Sequence, residues 1–201
     1  MASIEDLLKK GDDYFDDGRY RQAIDYYKRA LDIDSNDKDI MIKIGLSYRY
    51  IQDYDTAIEY YNNALEIDPE NKTALNNIGY AKECQGKMEE AIDFYQKSLE
   101  IDPNYEMPLL NLTKIYQDNK EYEKAAEVFL AALEIDPLNV ANWIDLGRSY
   151  RFLEKYDEAI DAYLEALRLD PNSKIAHNNI GYVYYVKKQY EKAIDEYTIS
   201  L

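Results

Sequence analysis

Ala23, Ala57, Ala91, Ala125, Ala159 and Ala193 stand 34 residues apart, with no insertion or deletion between any two of them. A period of that length restricts the fold more than composition can, because each copy is one supersecondary unit that buries its apolar face only against its neighbours. Gly11, Gly45, Gly79, Gly147 and Gly181 keep the same step, with Thr113 in the fourth slot. With that glycine counted as position 8, the copies run 4–37, 38–71, 72–105, 106–139, 140–173 and 174–201, the last incomplete, and residues 4–201 read as a single domain.

Inside a copy the apolar spacing is helical. Trp143, Leu146, Gly147 and Tyr150 recur at three- and four-residue steps, as do Tyr156, Ala159, Ile160, Tyr163 and Leu167, so each set lies on one face of its own helix. Two helices per copy follow, separated by turns such as Asp17-Gly18-Arg19 and Gln85-Gly86-Lys87, where glycine permits the backbone that a helix stop needs. The second helix closes at Asp68-Pro69, Asp102-Pro103, Asp136-Pro137 or Asp170-Pro171. Positions 11, 17 and 24 hold 15 of the 22 tyrosines, which makes the tyrosine richness a packing feature, since aromatic rings bury large areas at low entropic cost.

The run Trp143-x-x-Leu146-Gly147-x-x-Tyr150, followed by Ala159-x-x-x-Tyr163, Ala166 and Pro171, resembles the tetratricopeptide repeat signature in order and spacing. Leu7, Met41, Leu75, Leu109 and His177 replace Trp143 in the other copies. Only the fourth copy departs in more than one place, with Thr113 for glycine and Pro108 near the start of its first helix, where proline is tolerated. The resemblance implies an all-α fold, a right-handed α-solenoid of stacked antiparallel helix pairs forming a superhelix. It also implies a protein–protein interaction scaffold, with no enzymatic activity or cofactor, that takes an extended peptide segment of a partner in a concave groove.

In that family, positions 2, 5, 6, 9, 12 and 13 of the first helices form the groove wall. Those positions carry six basic and seven acidic side chains, a net of −1 in a chain of net charge −16, so the acidic excess lies elsewhere. The overall charge argues against a nucleic acid or an anionic membrane as partner. The candidate groove residues are Lys43, Arg49, Asn76, Asn77, Tyr80, Asn111, Lys114, Asp145, Arg148, Arg151, Asn178, Asn179 and Tyr182.

The pentapeptide NNIGY occurs at 76–80 and 178–182, three periods apart, and puts Asn77 and Asn179 in one rung with Asn111 and Asp145. A side-chain amide both donates and accepts, so such a row can pair with the backbone of an extended peptide whatever its side chains; the alternative is simple solvation of a helix face. Arg148 and Arg151, one turn apart and near Lys114 in the register, offer an anion site for a carboxylate on the partner, or else pair with Asp145 and Glu154. The basic clamp of family members that hold chaperone tails is absent, because its positions here read Leu8, Asp12, Lys43, Thr73 and Asn77.

Other signals point away from chemistry. Asp32-x-Asp34-x-Asn36 opens like a calcium loop, but Asp37 and Lys43 stand where that loop needs glycine and a bidentate glutamate, so no metal is expected. His177 takes a packing slot, and Cys84 has no histidine near it in the register to activate it. Asp12, Asp13, Asp16 and Asp17 crowd the first helix and are expected to solvate the N-terminal end of the stack, as a terminal repeat requires. With a lone cysteine, no signal-peptide pattern and no run of about 20 apolar residues, the expected address is cytoplasmic. Two alternatives remain: a substrate-presenting or regulatory arm of a larger enzyme, and a self-association module that uses the last helix, where Tyr197 and Leu201 occupy slots covered by the next repeat in every earlier copy.

Overall fold

The structure is a computed structural model and describes residues 2–201. Among the described residues there are twelve α-helices and no strand. They pair as α1 (Ile4–Asp16) with α2 (Tyr20–Leu31), α3 (Lys38–Tyr50) with α4 (Tyr54–Ile67), and α5 (Lys72–Cys84) with α6 (Met88–Ile101). The series continues with α7 (Glu106–Asp118) and α8 (Tyr122–Ile135), α9 (Val140–Phe152) and α10 (Tyr156–Leu169), and α11 (Lys174–Val186) and α12 (Tyr190–Ile199). Every first helix begins on position 1 of its repeat and every second helix on position 17.

Local chemistry accounts for these boundaries. Asp37, Asn71, Asn139 and Ser173, all at position 34, accept hydrogen bonds from backbone amides of the next helix, and Ser3 forms a capping box with Asp6. The turn inside each repeat passes through a left-handed residue at position 15. Only Gly18 and Gly86 are glycines there; Gln52, Lys120, Glu154 and Lys188 adopt φ of 64°, 60°, 59° and 60°. The sequence marks the left-handed position in two repeats, whereas the structure requires it in all six.

The chain falls into two compact units, Met1–Pro108 and Leu109–Leu201. In the first, α2 packs on α3, α4 on α5, and α3 on α5. In the second, α8 packs on α9, α10 on α11, and α9 on α11. The small residue at position 27 lets the next helix approach: Ala30 clusters with Ile40 and Ile44, Ala64 with Ala74 and Ile78, and Ala166 with Ala176 and Ile180. Each of these fully buried isoleucines stabilises the stack by about 1.5–3 kcal/mol.

The glycine at position 8 makes room for the tyrosine at position 24. A Cβ on Gly45 would lie 2.5 Å from a Tyr61 ring carbon, and one on Gly147 would lie 2.5 Å from a Tyr163 ring carbon. Tyr61 and Tyr163 are fully buried. Pro108 sits in the first turn of α7, buried, where its missing N–H leaves no gap in the helical ladder.

Candidate functional site

Within each unit, contacts between first helices bring position 12 of one repeat beside position 9 of the next. Arg49 lies 4.7 Å from the ring centre of Tyr80 and 5.1 Å from that of Tyr50. Arg151 lies 4.7 Å from the ring centres of both Tyr182 and Phe152. The position-13 ring is stacked in turn on a tyrosine of the preceding repeat: Tyr20 on Tyr50 at 4.6 Å, and Tyr122 on Phe152 at 4.4 Å. Guanidinium groups beside aromatic faces gain cation–π energy of about 0.5–2 kcal/mol. Neither arginine makes an ion pair among the described residues. Arg151 therefore does not pair with Glu154.

The position-24 tyrosines lie beneath this face, and their hydroxyls meet different fates. Tyr27 donates to Asp12 at 2.7 Å and Tyr95 to Glu83 at 2.8 Å, whereas the buried hydroxyls of Tyr61 and Tyr163 donate to no group among the described residues. Burial pushes the Tyr61 phenol upward in pKa, partly offset by Arg49; burial likewise pushes Tyr163 up to about 12, against the pull of Arg151 and Arg148. Both phenols stay protonated at neutral pH and keep a donor available. The Arg151 Nε is also buried without a partner.

The amide rung is not uniformly open. Asn76 and Asn77 are each only 5% exposed, Asn111 and Asn179 are half-buried, and Asn178 is exposed. Asn77 nevertheless makes no side-chain hydrogen bond among the described residues. Tyr80 and Tyr182 are exposed beside their arginines.

The remaining candidate cations differ in their engagement. Lys43 is tied to Asp12, which also accepts from Tyr27, so Asp12 bridges two repeats rather than merely solvating the first helix. Arg148 pairs with Asp145 at 3.0 Å, as one of the two sequence readings held. Burial nevertheless raises the Asp145 carboxyl above its ordinary value, outweighing Arg148. Lys114 is exposed. Arg148 also lines an open cleft of about 350 Å³ with Lys174, Asn178 and Asn179.

His177 is a structural residue: its Nε2 lies 3.2 Å from the Pro171 carbonyl and its Nδ1 2.7 Å from Glu196. Trp143 donates from Nε1 to Pro137 at 2.9 Å, so the two side chains make the same contact to the preceding inter-repeat proline. Cys84 is exposed beside Tyr54 and Tyr80, and is the largest cause of the upward shift of both phenols. Among the described residues no group of three or more His, Cys, Asp or Glu could hold a metal, and no helix is long and apolar enough to cross a membrane.

Sequence reasoning named both arginines and both position-9 tyrosines but missed their stacking and the orphan hydroxyls of Tyr61 and Tyr163. The available signal was the 102-residue offset of NNIGY, which also relates Arg49 to Arg151, Tyr50 to Phe152 and Tyr20 to Tyr122.

Tetratricopeptide repeat models match residues 3–70, 39–104, 72–138 and 128–161, and a TPR repeat model matches 147–188. The chain belongs to the tetratricopeptide repeat family, whose fold is that of protein–protein interaction scaffolds. None of the curated proteins matches it significantly. Among solved structures it resembles MamA protein, at 24% identity and a TM-score of 0.69, over 82% of this chain and 90% of that one. It also resembles YrrB, described as a TPR protein with an unusual peptide-binding site, at 20% identity and a TM-score of 0.71, over 87% and 90%. The C-terminal part of a TPR repeat-containing protein from Cytophaga hutchinsonii matches at 16% identity and a TM-score of 0.75, over 94% and 78%. At these identities the likeness is one of fold.

Proposed function

We propose that the chain is a non-enzymatic scaffold that holds an extended segment of a partner protein along the faces of its first helices. The observation that carries the reading is Asn77, a residue only 5% exposed whose amide makes no side-chain hydrogen bond among the described residues. Its amide atoms are not among the buried side-chain groups that lack a partner, so they remain open to solvent, and a peptide backbone supplies both the acceptor and the donor that the amide lacks within the chain. Asn179 repeats the position beside the cleft lined by Arg148 and Lys174, whose remaining N–H donors favour a carboxylate on the ligand although Asp145 and the Leu201 carbonyl already engage them. The description of YrrB as a peptide binder supports the same reading.

Selection from a random peptide library tests it. Extended sequences containing Asp or Glu should be enriched. Asn77→Ala and Asn179→Ala should each weaken the selected peptides by about 0.5–1.5 kcal/mol without changing the preferred sequence, whereas Arg148→Ala should erode the acidic preference. Peptides that bind the two asparagine variants as well as the parent would remove the amide rung from the account.

A second reading, self-association, is favoured by α12, where Ile194 and Ile199 are 63% and 58% exposed. Light scattering over a wide concentration range should then show a dimer that Ile194→Lys abolishes. A monomer throughout would leave the peptide scaffold alone.

A further inference from the structure

We propose that the chain carries two equivalent carboxylate seats, one in each unit, centred on Arg49 and Arg151, and that the partner presents an Asp or Glu side chain or a chain terminus to each. The peptide nature of the partner rests on the scaffold reading above; the seats themselves stand on geometry.

The arrangement is built twice in the same register and nowhere else among the described residues. Tyr20, Tyr50, Arg49 and Tyr80 in the first unit correspond to Tyr122, Phe152, Arg151 and Tyr182 in the second. The other four copies have Phe15, Glu83, Gln117 and Tyr185 at position 12. Around each seat the supporting contacts recur as well. Ser47 and Ser149 bond back to the carbonyls of Lys43 and Asp145, and Asp55 and Asp157 accept from position 14 of the following repeat, from Gln85 and Lys187.

The chemistry that fits follows from what the rings leave open. Two aromatic rings lie 4.7–5.1 Å from each guanidinium carbon and take none of its strong hydrogen bonds, so the fork of N–H donors is left for an acceptor and matches the two oxygens of a carboxylate. Beside the fork lies the buried hydroxyl of Tyr61 or Tyr163, which donates to no group among the described residues, although Arg151 itself reaches towards the oxygen of Tyr163. All of these groups are donors, so the complementary ligand is an acceptor and an anion. The protein has 40 acidic against 24 basic residues, yet neither guanidinium has been given a carboxylate of its own. The overall charge of −16 penalises a phosphate dianion more than a single carboxylate.

The test uses the full chain and two probes, acetyl-Ala-Glu-Ala-amide and the same peptide with Gln. The side-chain Nε–H resonances of Arg49 and Arg151 are followed by NMR at low salt, with Arg49→Lys and Arg151→Lys supplying the assignment. Both resonances should move with the Glu peptide, at an affinity about tenfold or more above that for the Gln peptide, the worth of one charge-assisted pair. Tyr80→Ala should weaken the response of Arg49 alone and Tyr182→Ala that of Arg151 alone, with the backbone spectrum reporting that each variant is folded. A response at one arginine only, or equal responses to both peptides, would overturn the paired seats. If the Asn77 and Asn179 amides respond to both peptides while neither arginine does, the seats fall and the scaffold reading stands. If nothing responds, both fall.

Discussion

Repeats two and three of the first unit and repeats five and six of the second occupy the same register, and they agree on the stacked arginine while differing in what surrounds it. In the first unit the neighbours are closed off: Lys43 is held by Asp12, Asn76 and Asn77 are buried, and the ion pairs Lys38–Asp68 and Lys72–Asp102 link the start of each first helix to the end of its partner. In the second unit Val140 replaces the first of those lysines, Lys174 donates to the Leu201 carbonyl instead of to a carboxylate, Asn178 is exposed, and Arg148 opens onto a cleft. The same local constellation therefore sits in a tightly paired frame in one unit and a more open one in the other. What is common to both belongs to the face, and what differs belongs to the framework.

The largest expected difference lies at the position-8 glycines. A Cβ on Gly79 would stand 2.8 Å from a ring carbon of fully buried Tyr95 and 3.2 Å from the Ala91 carbonyl oxygen, so Gly79→Ala should cost about 1–3 kcal/mol in urea denaturation. At Gly181 the obstacle is Tyr197, which is half-buried and can swing aside, so Gly181→Ala should cost clearly less. Equal losses would mean that the two ends of the register are packed alike.

Tyrosine-to-phenylalanine changes separate hydroxyls that are used from those held in reserve. Tyr95→Phe discards a bond to Glu83 and should destabilise by about 1 kcal/mol. Tyr61→Phe and Tyr163→Phe discard unpartnered groups and should be neutral or stabilising by up to about 1 kcal/mol, while weakening the Glu peptide at their own seats. A loss of stability at Tyr163 equal to that at Tyr95 would show that its hydroxyl is bonded in solution.

At position 15 the two units should behave alike. Gln52→Gly and Glu154→Gly each remove a side chain from left-handed backbone and should stabilise by roughly 0.5–1 kcal/mol by thermal denaturation. Unequal gains would reveal a turn held by something other than its backbone.

The smallest effect is in the acid limb, and its sign differs between the units. Lys38 and Lys72 hold Asp68 and Asp102 below the usual carboxylate value of 3.8, so their contribution is complete above that pH and is lost as pH falls through the depressed values. Asp145 is raised by burial, so its charged form costs stability above its folded value, and acidification through that value relieves the cost. Denaturation across the acid range should show Asp68→Asn with Asp102→Asn flattening the loss, and Asp145→Asn removing the gain.

Much of this was legible in the residues alone. The 34-residue step located all twelve helices, because position 8 must be small for a position-24 ring to pack on it and position 27 small for the next helix to dock, and such requirements leave a periodic trace. Local stops were less legible. Gly18 and Gly86 announce a left-handed turn, whereas Gln52, Lys120, Glu154 and Lys188 adopt the same backbone because helices already packed on either side impose it.

The sequence by itself determined the fold class, the repeat boundaries and the residue types on the first-helix face, since these follow from spacing along one chain. Only the tertiary structure decided which of those residues are committed: that Arg148 is paired and Arg151 is not, that Asn77 is buried and Asn178 open, and that the Tyr61 and Tyr163 hydroxyls lack the carboxylate that Tyr27 and Tyr95 have. Pairing and burial depend on what a neighbouring helix brings within about 3 Å, and a one-dimensional pattern carries no measure of that distance.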